Sequence, residues 1–167
     1  NNFSVVLKEI KDFEKALLFG LKAFKIDPSS DEGSTNLGNI YLELSNFDKA
    51  LLYFKKSISL NPNNSTTIYN FAVCNLKLNN YKLADEAINL ALRHEPNNHE
   101  FLNIKGQIFR EMGRYDASEE LFCKALDLNP NAVLTLNNLS CYVKSAGPWP
   151  VAKIVMDFHK RKTNSEF

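Results

Sequence analysis

Four prolines stand 34 residues apart, at Pro28, Pro62, Pro96 and Pro130. The same register holds an aromatic in every copy (Phe13, Phe47, Tyr81, Tyr115, Trp149) and a small residue in every copy (Ala16, Ala50, Ala84, Ser118, Ala152). A fixed period of this length marks a stacked array of one supersecondary unit. Such an array offers an extended surface and no closed pocket, so binding is expected rather than chemistry.

Counting Asp31 as position 1, units run over 31–64, 65–98, 99–132 and 133–166, and residues 1–30 fit positions 5 to 34 of an earlier, incomplete copy. The five copies fill the 167 residues as a single array. The chain begins at Asn1 without Met, so a piece of a longer protein is expected.

Each unit reads as two helices. Leu37, Gly38 and Tyr41 fall at the 3–4 spacing of one buried helical face, which predicts a first helix over roughly Asp31 to Leu44. Ser45-Asn46 reads as a turn, and a second helix is predicted from Phe47 to about Leu60, with Ala50, Phe54 and Ser57 on one stripe. Pro62 then stops it, and Ser or Asn after each proline can cap the next helix. Short side chains at position 8 (Ser4, Gly38, Ala72, Gly106, Ser140) let paired helices approach closely, and bulky residues such as Phe54, Ile88 and Phe122 fill the space beside them. Lys105, where an apolar residue belongs, Asn75 at position 11, and Gly147-Pro148-Trp149-Pro150 in place of an ordinary turn are the local departures.

On these residues the chain resembles the tetratricopeptide-repeat family. The closest match to that pattern is Asn36-Leu37-Gly38-Asn39-Ile40-Tyr41 followed by Phe47-Asp48-Lys49-Ala50 and Asn61-Pro62. The resemblance implies an all-α, right-handed superhelical solenoid of antiparallel helix pairs. It implies protein binding, with the first helix of each pair lining a concave groove.

Position 6 then becomes the column of interest. It holds Asn2, Asn36, Asn70, Ile104 and Asn138. It shares a helix face with positions 2, 5, 9 and 13 and avoids the packing face. Asparagine is abundant here, at 21 of 167 residues, so inherited, solvated Asn is the competing reading of the column. A carboxamide carries two donors and an acceptor oxygen, so a spaced column of them could hold an extended chain by its backbone. The column is similar to the asparagine ladder of the repeat region of O-linked N-acetylglucosamine transferases, with Ile104 breaking it. Asn36, Asn70 and Asn138 are expected to capture peptide backbone, with Asn39, Tyr69, Asn103, Gln107 and Asn137 adding polar and stacking contacts.

Other classes find less support. Repeats that grip acidic chaperone tails need Lys or Arg at positions 2, 5 and 6, and no unit has one there. The net charge of +1 gives no general pull toward nucleic acid or anionic membrane. No phosphate loop, nucleophile elbow or metalloprotease His pair occurs. His94 and His99 flank a turn without further ligands, so neither metal nor cofactor is expected. The run His159-Lys160-Arg161-Lys162 suits the last turn of a helix, where it complements the dipole. Cys74, Cys123 and Cys141 make an odd number without a Cys-x-x-Cys pair, and read as buried free thiols of a reducing, cytoplasmic compartment. The chain therefore reads as a scaffold for an extended segment of a partner protein. The competing readings are a substrate-recruiting arm of a larger glycosyltransferase-like enzyme and a self-associating assembly module.

Overall fold

The computed structural model describes the backbone of residues 2–146 and the side chains of residues 13–139. It is helical throughout that span: α1 (Asn2–Ile26), α2 (Asp31–Glu43), α3 (Phe47–Leu60), α4 (Ser65–Lys77), α5 (Tyr81–His94), α6 (His99–Glu111), α7 (Tyr115–Leu128) and α8 (Val133–Ala146). The chain divides into two compact units, Asn1–Pro96 and Asn97–Phe167. In the first, α2 packs on α3 and α4 on α5, while α1 lies against α2 and α3 against α4. In the second, α6 packs on α7 and α7 on α8.

The helix limits follow from local chemistry. Ser30, Asn64 and Asn98 are the N-caps of α2, α4 and α6. Their side-chain oxygens accept from the N–H groups of Gly33 at 2.9 Å, Thr67 at 3.0 Å and Phe101 at 3.3 Å. Each cap satisfies a donor that the helix itself cannot, worth about 1 kcal/mol. The inner face of α2 is Ser34, Leu37, Gly38 and Tyr41, and that of α3 is Ala50, Phe54 and Ser57.

The turn inside each helix pair is the same motif three times. Ser45, Asn79 and Gly113 occupy position 15 and take left-handed φ values of 55°, 60° and 75°. The following N–H groups of Asn46, Asn80 and Arg114 reach back to the carbonyls of Tyr41, Asn75 and Phe109, each at 2.8 Å. This is the paired 6→1 and 5→2 bonding that ends a helix by reversing the chain. The first copy breaks the pattern. Two helices are expected in every copy, but α1 runs unbroken from Asn2 to Ile26. Lys11 stands where the other copies place Ser, Asn or Gly, and nothing in Lys-Asp favours the left-handed residue that would end the helix. The first copy is therefore one long helix instead of an incomplete pair. The Gly147-Pro148-Trp149-Pro150 turn and the basic run at 159–162 lie outside the described residues, as does the side chain of Cys141.

Helix approach is set by matched volumes. A methyl on Gly38 would sit 2.4 Å from the Phe54 ring, and one on Gly106 would sit 2.7 Å from the Phe122 ring. Where the second helix offers the slimmer Ile88, position 8 is Ala72 and not Gly. Both members of each pair are buried. Asn75, buried in place of the expected aromatic, is satisfied by donating to the Phe71 carbonyl at 2.9 Å. Lys105 is half-buried and swings its ammonium over the Phe109 ring at 5.5 Å.

A clasp closes each pair at its far end. Position 31 reaches back to position 1: Asn61 Nδ2 donates to Asp31 Oδ2 at 2.8 Å, Ser65 Oγ donates to Glu95 Oε1, and Asn129 Nδ2 meets His99 Nε2 at 3.1 Å. The three chemistries differ, but the separation is the same. Cys74 is buried in the core formed by Tyr41, Ala50 and Phe54. Burial pushes its thiol up to about 12. Cys123 is half-buried.

Two outcomes follow. Gly38→Ala should lower stability to denaturant by about 1–3 kcal/mol through overpacking, and adding Phe54→Leu should recover part of that loss in a double-mutant cycle. An unchanged denaturation midpoint in Gly38→Ala would contradict the volume match. In alkylation with iodoacetamide at about pH 8, Cys123 should label and Cys74 should stay unmodified until denaturant is added, because only the thiolate reacts; peptide mass spectrometry reads the difference.

Candidate functional site

Asn36, Asn39, Tyr69 and Asn70 all lie in the first unit. Asn36 and Asn39 are one turn apart on α2, away from the buried Leu37, Gly38 and Tyr41. Asn36 is exposed, and Asn39, Tyr69 and Asn70 are half-buried. Asn70 of α4 donates from Nδ2 to Asn39 Oδ1 at 2.8 Å. That bond fixes which way the Asn70 carboxamide faces. Its Oδ1 and second Nδ2 hydrogen remain for another partner. Beneath this surface Thr35 links three helices, with its hydroxyl 2.7 Å from Ser57 Oγ and 2.8 Å from Thr67 Oγ1. Ser57 and Thr67 are fully buried, so their hydroxyls need these partners.

The second unit repeats the arrangement with a shifted partner. Asn138 of α8 donates from Nδ2 to Asn103 Oδ1 on α6 at 3.0 Å. Asn103 is only 6% exposed, so it serves Asn138 and offers little surface of its own. Gln107 follows one turn later on α6 and is half-buried, while Asn137 is exposed. Ile104, the apolar member of the column, is buried.

The eight expected residues therefore divide four and four between the two units, and hydrogen bonds join Asn39 to Asn70 and Asn103 to Asn138. The sequence alone did not reveal that two of them orient two others. The signal was present as sequence separation: position 9 or 5 of one copy lies 31 or 35 residues before position 6 of the next. The hydroxyl chain through Thr35 was also missed. Its cue, three hydroxyl residues at positions that meet between adjacent copies, is visible only once the packing is known.

Charges around these groups are mixed. Glu32 and Glu43 flank the first group, with Lys77 on the neighbouring helix, and all three are exposed. In the second unit Glu111 pairs with Arg110 at 3.2 Å. Among the described residues no set of three His, Cys, Asp or Glu could hold a metal ion. The chemistry on offer is oriented amide hydrogen bonding.

Residues 32–64 match the tetratricopeptide-repeat family model, and residues 65–116 match the model of the Fis1 C-terminal tetratricopeptide repeat. The matched stretch, residues 32–116, is therefore built of tetratricopeptide repeats. Solved structures share the fold. MamA from Desulfovibrio magneticus RS-1, residue 41 to its end, is 19% identical, with 99% of this chain and 94% of that chain covered and a TM-score of 0.79. The first tetratricopeptide domain of Spaghetti (RPAP3), bound to an HSP90 peptide, is 19% identical, with 69% of this chain and 91% of that chain covered and a TM-score of 0.65. The OM64 tetratricopeptide domain of Arabidopsis is 24% identical over 68% of this chain and 94% of that one, with a TM-score of 0.65. A search of curated protein sequences returns no match.

Because Asn39 orients Asn70, Asn39→Leu should free the Asn70 side chain without unfolding the protein. In ¹⁵N-edited spectra the two Asn70 Nδ2 hydrogens should move toward the shifts of a solvated amide. Unmoved resonances would show that the pair is not populated in solution.

Proposed function

We propose that this chain is a protein-interaction scaffold that holds an extended peptide segment. In the first unit such a segment would lie along Asn36, Asn39, Tyr69 and Asn70; in the second, the corresponding residues are Asn103, Gln107, Asn137 and Asn138. One observation carries the reading: at position 6 the carboxamides of Asn70 and Asn138 are each held by a single bond from a neighbouring repeat, leaving an acceptor and a donor free. A peptide unit presents the complementary pair. Capture through backbone makes little demand on side-chain sequence, and Tyr69 supplies an aromatic surface beside it. The neighbouring fold bound to an HSP90 peptide supports peptide binding as a use of this architecture. The cations that an acidic tail would need at positions 2, 5 and 6 are missing, so a segment without strong charge is the better fit. Ordering such a segment opposes binding, which places affinity in the micromolar range.

The test is a peptide selected on the wild-type chain from a displayed random library, titrated against Asn36→Ala/Asn70→Ala/Asn138→Ala. Each lost hydrogen bond is worth about 1 kcal/mol, so affinity should fall at least about tenfold while helicity is kept. A folded triple variant that binds as tightly as wild type would overturn the reading.

A further inference from the structure

The outer stripes of α1 and α3 carry the same residues at the same repeat positions. Lys15, Leu18 and Lys22 on α1 correspond to Lys49, Leu52 and Lys56 on α3, each pair 34 residues apart. Both stretches begin Lys-Ala-Leu-Leu. On α5 and α7 the middle position is Glu86 and Glu120 instead. The two helices touch in the first unit at Phe24: it meets Tyr53 of α3 edge-on at 5.4 Å, and the Lys56 ammonium sits over its ring at 4.2 Å.

This face is both apolar and basic. Leu18 is 52% exposed, Leu52 65%, Phe19 63% and Ile26 86%. Around them stand Lys15, Lys22, Lys25, Lys49, Lys55 and Lys56, all exposed except the half-buried Lys56. No acidic residue interrupts Lys15 to Lys25 or Lys49 to Leu60; Glu14, Asp48 and Asp27 lie at the ends. Among the described residues none of these lysines meets a carboxylate within salt-bridge distance. The net charge of +1 hides this segregation, because α7 carries Asp116, Glu119, Glu120 and Asp127.

Composition separates the two kinds of partner. Protein interfaces are depleted in lysine. Surfaces that rest on anionic bilayers interleave lysine with Leu, Phe and Ile, the apolar groups entering the acyl boundary while flexible ammonium stems reach phosphates. We propose that the outer face of α1 and α3 docks on an anionic lipid surface. No described helix is long and apolar enough to cross a membrane, so the contact is peripheral. The net charge behind the expectation of no membrane partner does not describe this local face. The proposal shares no residue with the asparagine groups and stands independently of the peptide reading.

The test is co-sedimentation with vesicles of phosphatidylcholine alone and of two parts phosphatidylcholine to one part phosphatidylserine. The chain should pellet with the mixed vesicles at low salt, stay in solution with the neutral ones, and release as salt rises. Lys25→Gln/Lys55→Gln should weaken partitioning about 25-fold, at roughly fivefold per lysine. Leu18→Ser/Leu52→Ser should abolish it. All four positions are exposed, and circular dichroism checks that the variants stay folded. Failure of the wild type to pellet, equal pelleting with both vesicle types, or variants that pellet like wild type would overturn the proposal. So would binding of an acidic amphipathic helical peptide at these residues that mixed vesicles do not displace, which would assign the face to a protein.

Discussion

A phenyl ring needs the space that a missing methyl leaves. Gly38 against Phe54 and Gly106 against Phe122 bring the two helices of a pair close enough to share one core. The rest of the architecture depends on that approach. It fixes which face of the first helix is buried, and therefore which face is left for Asn36 and Asn39. The left-handed residue at Ser45, Asn79 or Gly113 reverses the chain so that the approach can occur. The position 31 to position 1 clasp closes the other end. Packing at native density leaves no slack, so the small residue and the large one must change together, as Ala72 with Ile88 shows.

Much of this was legible in the residues. The period located the copies, the apolar spacing located the packing faces, and the Ser or Asn residues after Pro28, Pro62 and Pro96 located the caps. Phe47–Leu60 was read with both ends in place, and the first helix of that unit ended one residue earlier than expected. These features are local, and local chemistry is repeated in every copy. The continuity of α1 was not foreseen, because repeat register alone suggested a turn where Lys11 supplies no turn chemistry. The side-chain contacts that join residues 30 to 35 apart were not foreseen either, since they depend on how copies stack.

The same distinction governs function. The sequence marked a column of carboxamides, and the structure shows that Asn70 and Asn138 each have one donor occupied and one orientation chosen. An amide held in this way is preorganised: the freedom it would lose on meeting a ligand has been lost already. Net charge, by contrast, is an average, and it concealed a lysine-and-leucine face confined to α1 and α3. The two surfaces use different physics, directional hydrogen bonds on one and area plus charge on the other, and they occupy separate residues.

Capture of a bound segment by its backbone is the role proposed for the carboxamides of Asn36, Asn70 and Asn138. It is tested most directly by recording the side-chain amide resonances of Asn36, Asn70 and Asn138 while adding a selected peptide and, separately, its backbone N-methylated analogue. The account predicts that all three sets of resonances shift with the peptide and stay in place with the analogue, which cannot donate. Shifts of equal size with both ligands, or shifts confined to other residues, would contradict it.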